Sequence, residues 1–257
     1  MTTSALLLIP ARYGSERFPG KPLAEIAGRS MIQRVYEQCQ EAVEIAKTSS
    51  LDLLTVVVTD DKRIEDHVSG FGGRVCRVDD DVSSGSERIK LAFQNFFEDR
   101  AWDFLVNVQG DEPLIEPESL VRLIKAHDKY NYDIMTMVKP QVGNLADFKD
   151  PNRVKVVYSE LNGQCFYFSR APIPHPRDQE ASFEWALHIG VYSYRPTALE
   201  KFCLAKNSRL ECLEKLEQLR ALEIGLTLGA VEIEDELIGV DTPEDITKVE
   251  GVLSGRK

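Results

Sequence analysis

The sequence has no hydrophobic run of membrane length. The apolar stretch near its start, Ala5 to Ile9, covers five residues, against the roughly 20 needed to cross a bilayer. No Lys or Arg precedes that stretch, so neither a signal peptide nor membrane insertion is expected. Cysteine is sparse. The five present (Cys39, Cys76, Cys165, Cys203 and Cys212) are odd in number and contain no C-x-x-C pair. They read as free thiols in a reducing compartment, which points to the cytoplasm. Positive charge is also short, with 31 Lys and Arg against 42 Asp and Glu and a net charge of −11. That balance excludes nucleic acid as a partner, because a phosphate backbone demands a basic face. No Gly-x-Gly-x-x-Gly follows a strand-like run, so dinucleotide binding has no support. Repeats, low-complexity tracts and dividing linkers are absent too. A chain of 257 residues, 43% hydrophobic and 28% charged, suits one large α/β domain or one domain with a smaller excursion.

Against this acidic background one basic segment stands out. Leu6-Leu7-Leu8-Ile9 reads as a buried parallel strand. It runs into a Gly- and Pro-rich loop, 10–23, that carries Arg12, Arg17 and Lys21. In open α/β sheets the loop leaving such a strand is where ligands bind. Cations and free backbone N–H groups there suit a polyphosphate. A P-loop is excluded, since five residues rather than four separate Gly14 from Gly20 and Pro22 follows Lys21 in place of Ser or Thr. A solvated basic loop remains the plain alternative.

Strand-like runs at 53–59 and 104–108 alternate with helical patterns at 31–47, 63–69, 87–97 and 118–129, the signature of βαβ units and a mostly parallel sheet. Beyond 133–138 the texture changes to β-branched and aromatic runs at 153–158, 164–169 and 185–194. Asn162-Gly163 between the first two signals a hairpin. A helix over 210–223 and a strand–helix pair around 240–253 complete the pattern. The prolines of 172–178 preclude regular structure, leaving a connector or a flap over a ligand.

Individual residues carry readings of their own. Asp111 ends the run from Phe104 to Gly110. Gly110 lets the backbone turn and approach a ligand, and Mg²⁺ prefers one or two carboxylates with water and phosphate oxygens. The pattern also fits an Asp capping a turn before Pro113. In Val240-Asp241-Thr242-Pro243-Glu244-Asp245, Thr242 suits the N-cap, Pro243 the first helical position and the two acids the positive helix end. Helix initiation thus leaves Asp241 free for a cation. Ser84-Gly85-Ser86-Glu87 satisfies the capping-box pattern. On a helix over 210–223, Glu217 shares the face of Leu210 and Leu213 and needs a partner there, or lies at its solvated edge. Alternation points His188 and Tyr192 to one strand face, as core residues or as binding groups.

Several blocks resemble one family in the family's own order. They are Pro10-Ala-Arg-Tyr-Gly-Ser-Glu-Arg-Phe-Pro-Gly-Lys21, Ser84-Gly-Ser-Glu-Arg88, Asn107-Val-Gln-Gly-Asp-Glu-Pro113, Tyr167-Phe-Ser-Arg-Ala-Pro-Ile-Pro174, His188-Ile-Gly-Val-Tyr192, Leu213-Glu-Lys-Leu-Glu-Gln-Leu-Arg220 and Val240-Asp-Thr-Pro-Glu-Asp245. Together they span nearly the whole chain. They resemble the sugar nucleotidyltransferases, and closely the 3-deoxy-manno-octulosonate cytidylyltransferases. The resemblance implies a doubly wound, Rossmann-like α/β sheet with an inserted β-rich segment. It implies a single domain over 1–257, with 1–138 mainly for CTP, 139–225 for the sugar and dimer contacts, and 226–257 closing the fold. CTP would be held by Ala11, Arg12, Ser15, Arg17, Lys21, Ser84 and Gly85, with Arg12 and Lys21 catalytic. Asp111 and Asp241 would share Mg²⁺. Gln109, Arg170, His188, Tyr192 and Glu217 would hold the sugar acid, and the chain would form a homodimer. Three positions depart from the family's usual residues. Val82-Ser83 replace His-Gln, and Leu187 stands where a cation often precedes the histidine. A related acceptor, such as an 8-amino octulosonate or a sialic-acid type, and a regulator without turnover are the alternatives.

Overall fold

The structure is a computed structural model and describes residues 2–14, 17–82, 84–177 and 183–255. It divides into two compact units, Met1–Val121 with Asp235–Lys257, and Arg122–Glu234. The first holds β1 (Thr3–Ala11), β2 (Glu25–Ile26), β3 (Arg29–Ser30), α1 (Met31–Ala46), β4 (Leu51–Thr59), α2 (Lys62–Gly70), β5 (Val75–Arg77), α3 (Gly85–Phe96), β6 (Phe104–Asn107) and the start of α4 (Pro117–Lys129). The second holds β7 (Ile134–Val142), α5 (Leu145–Lys149), β8 (Lys155–Tyr158), β9 (Cys165–Ser169), β10 (Glu184–Tyr194), α6 (Pro196–Leu204), α7 (Arg209–Glu214), α8 (Gln218–Glu223) and β11 (Leu228–Glu232). Helix α9 (Pro243–Gly255) belongs to the first unit.

In the first unit β6, β1, β4 and β5 form a parallel sheet in that order. Strand β1 is central, and Leu6, Leu7, Leu8 and Ile9 are all 0% exposed. Burial of both faces explains unbroken hydrocarbon where a half-buried strand would alternate. Each such side chain contributes about 1.5–3 kcal/mol. The helices start where caps permit. Ser30 accepts from the Gln33 amide at α1, Asp61 from Arg63 at α2 and Ser84 from Glu87 at α3.

The second unit is mainly antiparallel. Strand β7 pairs antiparallel with β10 and parallel with β11, while β8 pairs antiparallel with β10 and β9. The β8–β9 hairpin turns at the expected Asn162-Gly163. Gly163 has φ 80°, and a Cβ there would lie 2.6 Å from the Ala230 carbonyl oxygen. Lys155, 0% exposed, donates from Nζ to the carbonyls of Asp150, Arg153 and Arg170 at 2.9, 2.7 and 2.6 Å. Three ammonium donors meet three acceptors, which is what keeps a buried charge tolerable.

Two expectations fail. The region 210–223 is not one helix. Lys215 takes the left-handed conformation, φ 53°, and splits it into α7 and α8. Leu213 is 68% exposed, so the apolar face argued for Glu217 does not exist. No strand forms at Val240 either. Its amide bonds the Asp111 carbonyl oxygen at 2.9 Å instead of a sheet partner, and the last strand is β11. The stretch 172–177 is irregular as the prolines require, and Asp178 lies outside the described residues.

His127 sits wholly inside the second unit, 0% exposed. Its Nε2 contacts the Tyr132 carbonyl oxygen at 3.0 Å and its Nδ1 the Ser193 hydroxyl at 2.8 Å. Burial lowers its pKa to about 4. Below the ordinary value near 6.5 the unfolded chain binds a proton that the folded chain refuses, so stability falls as pH drops. This histidine should remove about 2 kcal/mol of stability between pH 7 and pH 5. Urea unfolding at the two pH values should show a correspondingly flatter dependence for His127→Gln than for the native protein.

Candidate active site

In the first unit the basic loop is closed on itself. The Gly20 amide bonds the Tyr13 carbonyl oxygen at 2.9 Å. Gly20 has φ 72°, and a Cβ there would meet the Tyr13 ring at 3.2 Å, so both the turn and its packing favour glycine. The Arg63 guanidinium stacks 3.3 Å above that ring. The closed loop delivers Lys21 inward. Its Nζ donates to Asp111 Oδ2 at 2.7 Å and to the Val240 carbonyl at 2.8 Å, and stands 3.7 Å from Asp241 Oδ1. Arg17 Nη2 reaches the same Asp241 oxygen at 3.0 Å. Two carboxylates and two cations, expected separately from the sequence, thus share one cluster.

Local structure explains the convergence. A Cβ at Gly110 would lie 2.9 Å from the Pro10 carbonyl oxygen. The close approach that Gly110 permits is therefore to the chain's own β1 end. The helix-start reading around Asp241 holds. Asp245 Oδ2 accepts from the amides of Asp241 and Thr242 at 3.1 and 3.0 Å. Asp241 is spared from capping and left for cations.

Sequence reasoning missed Glu112. Its Oε2 is sealed from solvent with no hydrogen-bond partner. Burial, then the charges of Asp111 and Asp241, raise the carboxyl to about 8, with Lys21 pulling the other way. The adjacent acids of Gly-Asp-Glu-Pro were the available signal. Among the described residues no three His, Cys, Asp or Glu side chains form a ready-made metal cage. Two converging carboxylates and an orphaned acceptor still fit a hard divalent cation that draws its other ligands from water and phosphate.

Other expected residues lie nearby in the same unit. Arg12 bonds the Val82 carbonyl through Nη2. Ala11 ends β1, and Gly85 packs with its Cα toward Pro10, where a Cβ would meet the Pro10 ring at 3.3 Å. Ser84 serves as the α3 cap. Gln109 lies between β6 and Asp111. Ser15 lies outside the described residues.

In the second unit His188 and Tyr192 do share a face, with ring centroids 5.5 Å apart. Phe168 meets the His188 ring edge-on at 4.9 Å. Burial pushes the His188 pKa down to about 3 and the Tyr192 phenol well above its ordinary range. The site therefore offers neutral hydrogen-bonding groups. Glu217 stands exposed at the start of α8, its Oε2 3.9 Å from Arg220 Nη2. Arg170 also has partners within its own unit. Its Nε, Nη1 and Nη2 donate to the carbonyls of Glu214, Pro151 and Lys215 at 2.6, 2.9 and 3.3 Å. The side chain clamps the turn between α7 and α8, and its amide bonds Glu214 Oε2 at 2.8 Å.

Comparison with known proteins identifies the family. Residues 6–234 match the cytidylyltransferase family. A 3-deoxy-manno-octulosonate cytidylyltransferase of Syntrophotalea carbinolica is 44% identical, over 98% of this chain and 99% of its own. An 8-amino-3,8-dideoxy-manno-octulosonate cytidylyltransferase of Shewanella baltica is 42% identical over 96% and 98%. A CMP:2-keto-3-deoxy-manno-octonic acid synthetase solved with CTP superposes with a TM-score of 0.88 at 34% identity, over 99% of this chain and all of the other. With the colinear motifs, the parallel sheet and the carboxylate–lysine cluster in place, this chain is an enzyme of the cytidylyltransferase family.

Proposed function

We propose that the protein transfers CMP from CTP to a 3-deoxy-octulosonate sugar acid, releasing pyrophosphate and giving the CMP-sugar used in lipopolysaccharide synthesis. The observation that carries this reading is the approach of Asp111 and Asp241 to the single ammonium of Lys21. A polyphosphate brings the negative charge that Lys21, Arg12 and Arg17 can offset, and the carboxylates suit the cation that accompanies it. Magnesium held by Asp111 and Asp241 would supply charge neutralisation and a template for the phosphate oxygens. The sugar's anomeric hydroxyl attacks the α-phosphorus in line and loses its proton to water, the new O–P bond replaces the bond to the bridging oxygen, and pyrophosphate departs. Arg12 and Lys21 stabilise charge building on the phosphates. Ala11, Ser15, Ser84 and Gly85 border the nucleotide. Gln109, Arg170, His188, Tyr192 and Glu217 orient the sugar, and Arg170 also holds the turn that leads to Glu217. Free thiols fit a cytoplasmic enzyme, and no helix among the described residues is long and apolar enough to cross a membrane.

Pyrophosphate release with each nucleoside triphosphate, against a panel of sugar acids, tests the reading. CTP should be strongly preferred over ATP and GTP. An 8-hydroxy and an 8-amino octulosonate should differ clearly in kcat/KM, because a site built for one polar group strands its own atoms against the other. Activity with neither, alongside tight CTP binding, would favour a regulator.

Asp111→Asn and Asp241→Asn should each remove most activity, and the double variant should be little worse than either. Losses that add fully in free energy would mean that the two acids do not serve one cation.

A homodimer belongs to the same reading, with the segment from Val138 to Tyr194 as its contact surface. Val142 and Phe166 within it are 67% and 54% exposed, large apolar side chains that a partner would cover. Light scattering at micromolar concentration should give twice the 29.0 kDa chain mass; a monomer would refute the dimer.

A further inference from the structure

Strand β10 bulges where it carries the histidine. Its register against β7 runs His188 to Val138 and Ile189 to Met137, then resumes with Tyr192 opposite Thr136. Gly190 and Val191 are left without ladder partners, and a bulge of this kind re-aims nearby side chains. One side chain fills the gap. The Thr136 hydroxyl, 0% exposed, lies 2.8 Å from the Val191 carbonyl oxygen, 3.0 Å from the Ile189 carbonyl oxygen and 3.2 Å from His188 Nε2.

A hydroxyl has one proton. Two of these three partners are carbonyls, which can only accept. If His188 Nε2 carries its ring proton, it donates to Thr136 Oγ1 while the hydroxyl donates to a carbonyl, and two bonds form. If Nε2 is bare, the single hydroxyl proton goes either to it or to a carbonyl, so one bond forms and the remaining acceptors face a lone pair at contact distance. The first arrangement satisfies more buried groups and is the stable one. The neutral ring then has Nδ1 as its acceptor. Nδ1 has no hydrogen-bond partner among the described residues, and Phe168 and Tyr192 flank the ring.

We propose that Thr136 is a positioning residue that locks His188 in the Nε2–H tautomer, so that Nδ1 accepts a hydrogen bond from a hydroxyl of the acceptor sugar. This rests on the assignment of His188 to the sugar site. The chemistry it recognises is a donor hydroxyl; a carboxylate, which cannot donate, would be repelled by the Nδ1 lone pair.

Two measurements test it independently. Long-range ¹H–¹⁵N correlation of ¹⁵N-histidine-labelled protein reads the His188 tautomer without any substrate. The native protein and Thr136→Ser should show Nε2–H, and Thr136→Val, which keeps the shape and loses the hydroxyl, should show a mixture. Steady-state kinetics should then give a KM for the sugar acid raised about tenfold in Thr136→Val, an unchanged KM for CTP, and recovery in Thr136→Ser. An Nδ1–H tautomer in the native protein overturns the proposal even if Thr136→Val fails to fold. A native sugar KM in a folded Thr136→Val, or equal losses for both substrates, overturns the positioning role. Should no sugar acid react, the tautomer still reports on Thr136, so failure of the functional reading stays separate.

Discussion

The first unit depends on one ammonium. Lys21, with its side chain 14% exposed, binds Asp111 across 90 residues and the Val240 carbonyl across 219. Three segments that share no secondary structure are held by a single charge: the loop after β1, the turn after β6 and the approach to α9. Withdrawing such a charge from water is costly unless its partners are present. Removing one partner leaves the others uncompensated, although water reaching the half-exposed Asp241 softens the loss. The Val240 amide adds a backbone bond back to Asp111, so the turn that presents one carboxylate also anchors the segment that presents the other. Geometry around the site is therefore cooperative. No member can shift alone.

The two units differ in chemical character in a way that matches two kinds of substrate group. The first gathers formal charge of both signs within a few ångströms, beside a Glu112 whose burial raises its carboxyl above the usual range. The second offers a neutral imidazole, a phenol and hydroxyls whose ionisation burial suppresses. Polyphosphates call for the former, polyhydroxylated sugars for the latter. A net charge of −11 makes the local excess of cations at the loop more informative than it would be on a basic protein.

Much of this was legible in the sequence because it is written locally. Hydrocarbon in β1, the Ser84 cap, the Pro243 start of α9 and the Asn162-Gly163 turn each depend on neighbours within four residues. What the sequence concealed depends on partners in space. Lys215 breaks the helix over 210–223 without glycine or proline, so periodicity ran through it. Val240 reads as a strand residue, yet its hydrogen bonds go to Asp111 and Lys21. No sequence pattern reveals that the Arg170 guanidinium also bonds three main-chain carbonyls. Thr136 is one more β-branched residue on a strand until the bulge opposite it is seen.

Lys155 shows how such concealed partnerships constrain change over generations. Its ammonium matches three carbonyls, two from 150–153 and one from Arg170. Methionine would fill the space and leave three acceptors bare; arginine would bring a broad plane to a point-shaped socket. Neither replacement is a gradual step, and no single compensating substitution can retract a main-chain carbonyl. The constraint on this position comes from packing geometry and needs no chemistry at Lys155 to explain it. Invariance at Lys155 among relatives would thus measure main-chain geometry, and should not be read as a mark of catalysis.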